Sequence, residues 1–211
     1  MHKYRSLKVI AAALACGLLV VGISCAQERA GGKAADGKAS DQPNALAPEN
    51  ESLKQQVGQW DVIETVWAAP RSAPVTTTGL VADRRMVGSA LEEFMHPADD
   101  TTAQRVERID YLRFNGLSGQ WEYLSIDTRV DIGLMPAKSF TRADPDGRIV
   151  LIHDPFVIPG KALGSPPVTL RMDSVLSRLG PDRDVKEQHF VTTDGTGKVW
   201  LAHRYEYTRR K

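Results

Sequence analysis

Cysteine is nearly absent from this chain. Two occur in 211 residues, Cys16 and Cys25, and both fall in the N-terminal stretch, so the chain beyond residue 25 has no thiol for nucleophilic catalysis, metal ligation or a disulfide. An excess of either charge is also lacking, with 27 basic against 26 acidic residues. Without a basic stripe the electrostatic footprint of a nucleic-acid binder is missing, and Arg209-Arg210-Lys211 reads as a solvated chain end. His96, His153, His189 and His203 stand in no zinc-binding spacing, and no Gly-x-Ser-x-Gly elbow is present. Neither a metal set nor a cofactor motif is therefore expected. His153-Asp154 is the nearest thing to an acid–base or metal pair, but adjacent strand residues point to opposite faces. A Ser/His/Asp triad assembled from distant segments stays open, since its members need not be close in the chain.

What is present begins with an export signal. His2, Lys3, Arg5 and Lys8 form a basic head, Val9 to Ile23 an apolar run, and Gly22-Ile23-Ser24-Cys25 a small-residue exit. The run is shorter than the roughly 20 apolar residues that span a bilayer. Residues 1–25 resemble a bacterial lipoprotein signal, which implies acylation of Cys25. Ordinary cleavage after Ala26, using the small-x-small pair Ser24 and Ala26, remains the alternative. Residues 26–50 are rich in Ala, Gly, Lys, Asp and Pro. They hold too little apolar surface to offset the entropy of ordering and are expected to form a flexible tether. The expected location is the cell envelope, as a periplasmic-side lipoprotein or a soluble periplasmic protein. A membrane partner would come through the lipid anchor.

From residue 51 to 211 the pattern changes to short β-branched and aromatic runs. After a helical turn over Ser52 to Val57, strands are expected at Trp60–Ala68, Val75–Asp83, Met86–Met95, Arg105–Asn115, Gln120–Thr128, Ala137–Ala143, Arg148–His153, Val168–Leu179, Val185–Thr193 and Lys198–Thr208. Turn chemistry separates them at Asn115-Gly116, Asp144-Pro145-Asp146-Gly147, Gly180-Pro181-Asp182 and Asp194-Gly195-Thr196-Gly197. Regular spacing without an intervening helix predicts an all-β, antiparallel up-and-down meander. Trp121, Tyr123 and Ser125 share one strand face and Glu122, Leu124 and Ile126 the other. Neither face is cleanly polar, as expected when a sheet closes around a partly polar interior, or when a small domain carries salt bridges at its sheet edges.

Gly58-Gln59-Trp60, Arg84-Arg85-Met86-Val87-Gly88, Leu91-Glu92-Glu93, Ile109-Asp110-Tyr111, the run Gly119-Gln120-Trp121 to Ser125-Ile126-Asp127-Thr128, and Tyr205-Glu206-Tyr207-Thr208-Arg209 together resemble the bacterial domain of unknown function family 1579. The resemblance extends over Leu53 to Arg209. The Gly-x-Trp opening is also similar to that of lipocalins and other calycins. That similarity implies a single barrel of about 8–10 strands around a pocket, with Trp60 at its floor and Arg204 or Arg209 stacked over the indole. The family has no common chemistry to carry over.

The residues expected to face a ligand are Trp60, Arg84, Glu92, Asp110, Trp121, Asp127, Arg142, Arg171 and Arg204. Of Glu92-Glu93, one side chain must point inward and the other outward; an inward Glu facing Arg84, Arg142 or Arg171 reads equally as a structural ion pair. Asp154 to Pro167 is an apolar loop without strand period, longer than most connections. Phe156, Ile158 and Leu163 in it are candidates for a lid or a partner-docking surface, and packing against the outside of the sheet is the plain alternative. The sequence thus points to an exported barrel that binds a small hydrophobic or amphipathic molecule. An envelope interaction module without a ligand is the second reading and a hydrolase the third. An interior cavity of about 300 Å³ or more with convergent polar groups distinguishes the first from the second.

Overall fold

The computed structural model describes residues 47–102, 104–143, 147–158 and 166–211. The export signal and nearly all of the expected tether, together with Leu163, lie outside the described residues.

Helix α1 (Pro48–Leu53) begins on a proline, which is preset for the first helical turn, and runs into a 3-10 turn at Lys54–Gln56. Eleven strands follow: β1 (Gly58–Val66), β2 (Val75–Val87), β3 (Ala90–Pro97), β4 (Arg108–Asn115), β5 (Gln120–Asp127), β6 (Leu134–Lys138), β7 (Ile149–His153), β8 (Phe156–Ile158), β9 (Val168–Gly180), β10 (Arg183–Thr192) and β11 (Val199–Arg209). Each of β1 to β6 pairs with the next, β7 pairs with β9, β9 with β10, β10 with β11, and β11 returns to β1, all antiparallel. Ten strands therefore close a barrel, the all-β up-and-down architecture expected from the sequence. Among the described residues, closure leaves no free edge apart from the short β8, which extends the line of β7 along the other end of β9. Asp154-Pro155 interrupts that line.

Three boundaries differ from expectation for physical reasons. Arg84-Arg85 does not divide two strands: β2 continues through both, and the chain reverses at Gly88, whose φ of 60° suits a tight turn. Phe156–Ile158, expected to be loop, is strand because Phe156, Val157 and Ile158 pair with Leu170, Thr169 and Val168. The helical segment starts at Pro48 rather than Ser52. It is fixed by Asn50, whose Nδ2 donates to the Phe114 carbonyl at 2.9 Å while its Oδ1 accepts from the Phe114 N–H at 2.7 Å. A side-chain amide thus substitutes for one residue of a neighbouring strand.

Strand alternation sends Trp60, Val62 and Glu64 of β1 inward. The register between β1 and β2 shifts after Val62, so the inward series crosses a local irregularity without changing face. The apolar interior falls into three groups. Leu53, Leu91, Leu112, Phe114, Trp121 and Leu151 pack under α1. Trp60, Val62, Met95, Tyr205 and Tyr207 line the β1–β11 side. Met135, Leu170, Met172 and Phe190 fill part of the far end.

Arg209 locks the floor. Its guanidinium lies 4.2 Å from the Trp60 ring centre, donates to the Val57 carbonyl at 2.7 Å and also to that of Gln55. Gly58 is required there, since its φ is 127° and a Cβ would sit 3.1 Å from Arg209 Nη1. Of the two arginines offered by the calycin similarity, Arg209 makes the stack. Arg204 instead faces outward with Glu187 and Glu206.

Candidate ligand site

Across the middle of the barrel the inward positions carry charge. Arg84 comes from β2, Glu93 from β3, Arg108 and Asp110 from β4, and Asp184 and Lys186 from β10, all buried. Three cations meet three carboxylates, a balanced set. Arg84 donates through Nε to Glu93 Oε2 at 2.7 Å and through Nη1 to Asp184 Oδ2 at 2.6 Å, while its guanidinium lies 4.7 Å from the Trp60 ring centre and 4.3 Å from that of Tyr207. Lys186 Nζ donates to Asp110 Oδ2 at 2.6 Å and stands 3.8 Å from Glu93 Oε1. Arg108 Nε is 3.1 Å from Asp110 Oδ2, and its guanidinium lies 4.0 Å from the Tyr205 ring centre. Ser125 Oγ donates to Asp110 Oδ1 at 2.6 Å, and the Tyr207 hydroxyl donates to Glu93 Oε1 at 3.1 Å.

Burial disfavours charge on Glu93, Asp110 and Lys186, and their neighbours in the network oppose it. For Glu93 and Asp110 burial pushes the carboxyl pKa upward, but the neighbouring cations win and hold both below the ordinary carboxylate range: Arg84 and Lys186 beside Glu93, Arg108 and Lys186 beside Asp110. Lys186 is lowered by burial and by Arg108, with its two carboxylates opposing. The Tyr123 and Tyr207 phenols are pushed up by burial and by adjacent carboxylates, so both stay protonated.

This belt is the floor of a cavity of about 440 Å³ that extends to α1. Leu53, Leu91, Leu112, Trp121, Ile149 and Leu176 make its apolar wall. Glu49 and Arg142, which are paired with each other, stand on its α1 side. The volume falls within the range of small-molecule sites, as does the pattern of apolar walls around a few convergent polar groups. Beyond the belt, toward the opposite end, lies a second cavity of about 290 Å³. Glu64 stands beside it, held well below the ordinary carboxylate range. Burial opposes ionisation there, and the hydrogen bonds of His203 and Arg129 overcome it.

Of the residues expected from sequence, Arg84, Asp110, Trp121 and Arg142 border the larger cavity, and Asp127, Phe156 and Ile158 the smaller one. Trp60 is fully buried beneath Arg84 and Arg209. Glu92, Arg171 and Arg204 are not brought into the interior. Glu92 lies on the outer face, where it pairs with Arg85 and accepts from the Tyr111 hydroxyl at 2.6 Å. Arg171 is exposed beside Asp173. Phe156 packs edge-on against Phe190, so the first part of the apolar loop is barrel wall. Arg108, Asp184, Lys186, Tyr123 and Tyr207 were not among the residues expected to face a ligand, and Glu93 entered only as one of the pair Glu92-Glu93 with its face left open. Parity held the signal for one of them: with Leu91 and Met95 inward on β3, Glu93 must be inward and Glu92 outward. Among the described residues, no group of three or more His, Cys, Asp or Glu side chains is arranged to hold a metal ion.

Comparison with known proteins adds little. No protein-family model matches the chain, so the resemblance to family 1579 gains no support, and no curated protein matches it. Among solved structures, the chain is similar to the S-type phycobiliprotein lyase CPES of Guillardia theta, with 13% identity, 76% of this chain and 92% of that chain covered, and a TM-score of 0.46. It is also similar to Rv2717c of M. tuberculosis, with 12% identity, 79% of this chain and 99% of that one covered, and a TM-score of 0.44.

Proposed function

We propose that this protein binds a small amphipathic molecule in the larger cavity, with the apolar part of the ligand against Leu91, Leu112, Trp121 and Leu176 and the polar part on the charged belt. The observation that carries this reading is the coexistence of about 440 Å³ of space with a floor of buried side chains paired with one another. An interaction module would have no use for such a space, and a packed core would fill it. The belt is preorganised, because its charges are already held by one another and need not be ordered when the ligand arrives. We place this activity in the cell envelope, with the barrel tethered through the segment between Cys25 and α1 to an acylated Cys25.

Native mass spectrometry of the full chain purified from its own envelope, followed by organic extraction, tests the binding role. A stoichiometric co-purifying lipid or metabolite is the expected result. A clean apo mass that persists after incubation with envelope lipid extract would shift the weight to an interaction module. Replacing Cys25 by Ser should move the protein from the membrane to the soluble fraction, and an unchanged distribution would refute the anchor.

A further inference from the structure

The smaller cavity has a chemistry of its own. On β10 the inward series Asp184, Lys186, Gln188, Phe190 leaves the charged belt after Lys186, and on β11 the series Tyr207, Tyr205, His203 does the same. Gln188 and His203 are direct cross-strand partners, so an amide and an imidazole stand side by side on the wall of this cavity. Gln188 is 5% exposed, and among the described residues its side chain makes no hydrogen bond. That sets it apart from the belt residues on the same strand, which are ion-paired. The Gln188 amide instead borders the open volume of the cavity, where it is free to meet a complement.

His203 is oriented for the same space. Its Nδ1 lies 3.2 Å from Glu64 Oε1, and Glu64 is held in turn by Arg129, whose Nη1 donates to Oε2 at 2.6 Å. Nδ1 also lies 3.3 Å from the Tyr205 hydroxyl, so that nitrogen is engaged from two sides, while Nε2 has no partner among the described residues. Arg108, Ser125, Asp127 and Arg129 make one polar stretch of the wall, and the rest is aromatic and aliphatic. Phe190 meets Phe156 edge-on at 5.8 Å and Trp200 at 5.5 Å, and lies 5.7 Å from the His203 ring. Met172 and Trp67 also border the cavity.

We infer that this second chamber is a separate binding site for a small planar aromatic heterocycle with an N–H donor next to a carbonyl acceptor, as in a cyclic amide. The Gln188 amide offers the matching acceptor and donor, the ring walls accept a flat molecule edge-on or stacked, and 290 Å³ limits the occupant to about one or two fused rings. The charged belt separates this chamber from the larger cavity, so occupancy of one does not require the other.

The test is calorimetric titration of the full chain with two isosteric probes. Isoquinolin-1-one carries the N–H and C=O pair; isocoumarin replaces the N–H with a ring oxygen and keeps the shape. The expected result is one-to-one binding of the lactam, about tenfold or more tighter than the lactone. Gln188→Leu should erase that preference, and Leu176→Phe, which narrows the larger cavity, should leave it intact. Should Gln188→Leu fail to fold, the side-chain amide resonance of Gln188 in the wild-type protein reads the same contact, shifting with the lactam and not with the lactone. Absence of binding, equal affinity for the two probes, or a preference abolished by Leu176→Phe would overturn the proposal. Because the ligand of the larger cavity is sought by extraction rather than by these probes, either site can fail without the other.

Discussion

Lys186→Met is the sharpest perturbation of the charged belt. It preserves the length and apolar stem of the side chain but leaves two cations facing three carboxylates. Lys186 Nζ sits 2.6 Å from Asp110 Oδ2 and 3.8 Å from Glu93 Oε1, with the Tyr205 ring centre 4.9 Å away. At an effective dielectric of about 20, a pair of unit charges 4 Å apart is worth about 4 kcal/mol before desolvation is deducted. Removing one partner of a buried pair typically costs about 3 to 5 kcal/mol, because the remaining charge stays buried. The same range is expected here, a large share of the roughly 5 to 15 kcal/mol available to a domain. Asp110→Asn should also destabilise, since it leaves Lys186 and Arg108 short of an anion. Combining the two restores balance, so the double variant should be at least about 2 kcal/mol more stable than the sum of the single losses implies. Equilibrium urea unfolding of the full chain, followed by tryptophan fluorescence, measures all four corners of the cycle. A Lys186→Met loss below about 1 kcal/mol, or strictly additive singles, would refute the picture of a dry, mutually dependent belt.

Protonation gives a second handle. Burial holds His153 at a pKa of about 4, below its unfolded value, so the folded state binds fewer protons between those two values. The resulting stability is complete above about pH 6.5 and is lost as pH falls toward 4, by up to about 3 kcal/mol; His153→Gln should remove this slope relative to wild type in parallel urea melts. Glu93, Asp110 and Glu64, all held low, stabilise above the unfolded carboxylate range and lose that contribution as acid protonates them, so the wild-type protein should unfold in acid rather than near neutrality. Arg209→Met, which removes the Trp60 stack and the donations to Val57 and Gln55, should cost about 1 to 3 kcal/mol and lower Tm by several degrees in a calorimetric scan. Asn50→Ala strands the N–H and carbonyl of Phe114. It should cost about 2 kcal/mol, with faster amide exchange along α1; unchanged protection there would contradict the anchoring role.

The strand sequence was legible because turns and β-rich runs are local features. Gly180-Pro181-Asp182 falls at the β9–β10 hairpin, and Asp194 to Gly197 between β10 and β11. The interior was far less legible, because which strand face points inward is a property of closure. On β10 the inward positions are Asp184, Lys186 and Gln188, whereas Val185 and Val191 alternate with them; judged by polarity, that strand reads inside out. Arg84-Arg85 looked like a break for the same reason, since two charges in a row suggest a turn unless one of them has buried partners on β3 and β10. Asn50 lay in a segment whose composition signals a tether, and only its bond to a strand more than sixty residues away reveals its place. Tertiary pairing, rather than propensity, decided each of these cases.

The line formed by β7 and β8 also bears on how the proposed ligand would get inside. Among the described residues, β6 shares only two residue pairs with β7, Ala137 with His153 and Lys138 with Ile152, and β8 is bonded to β9 alone. Everywhere else the wall is stitched by at least four pairs per neighbour. Parting the staves at this seam breaks the fewest hydrogen bonds, so the amides of β6 and β7 should be the first of the barrel to exchange with solvent. A guest admitted sideways there, past Met135 and Phe156, would reach the smaller chamber without disturbing the floor that Arg209 and Trp60 hold shut.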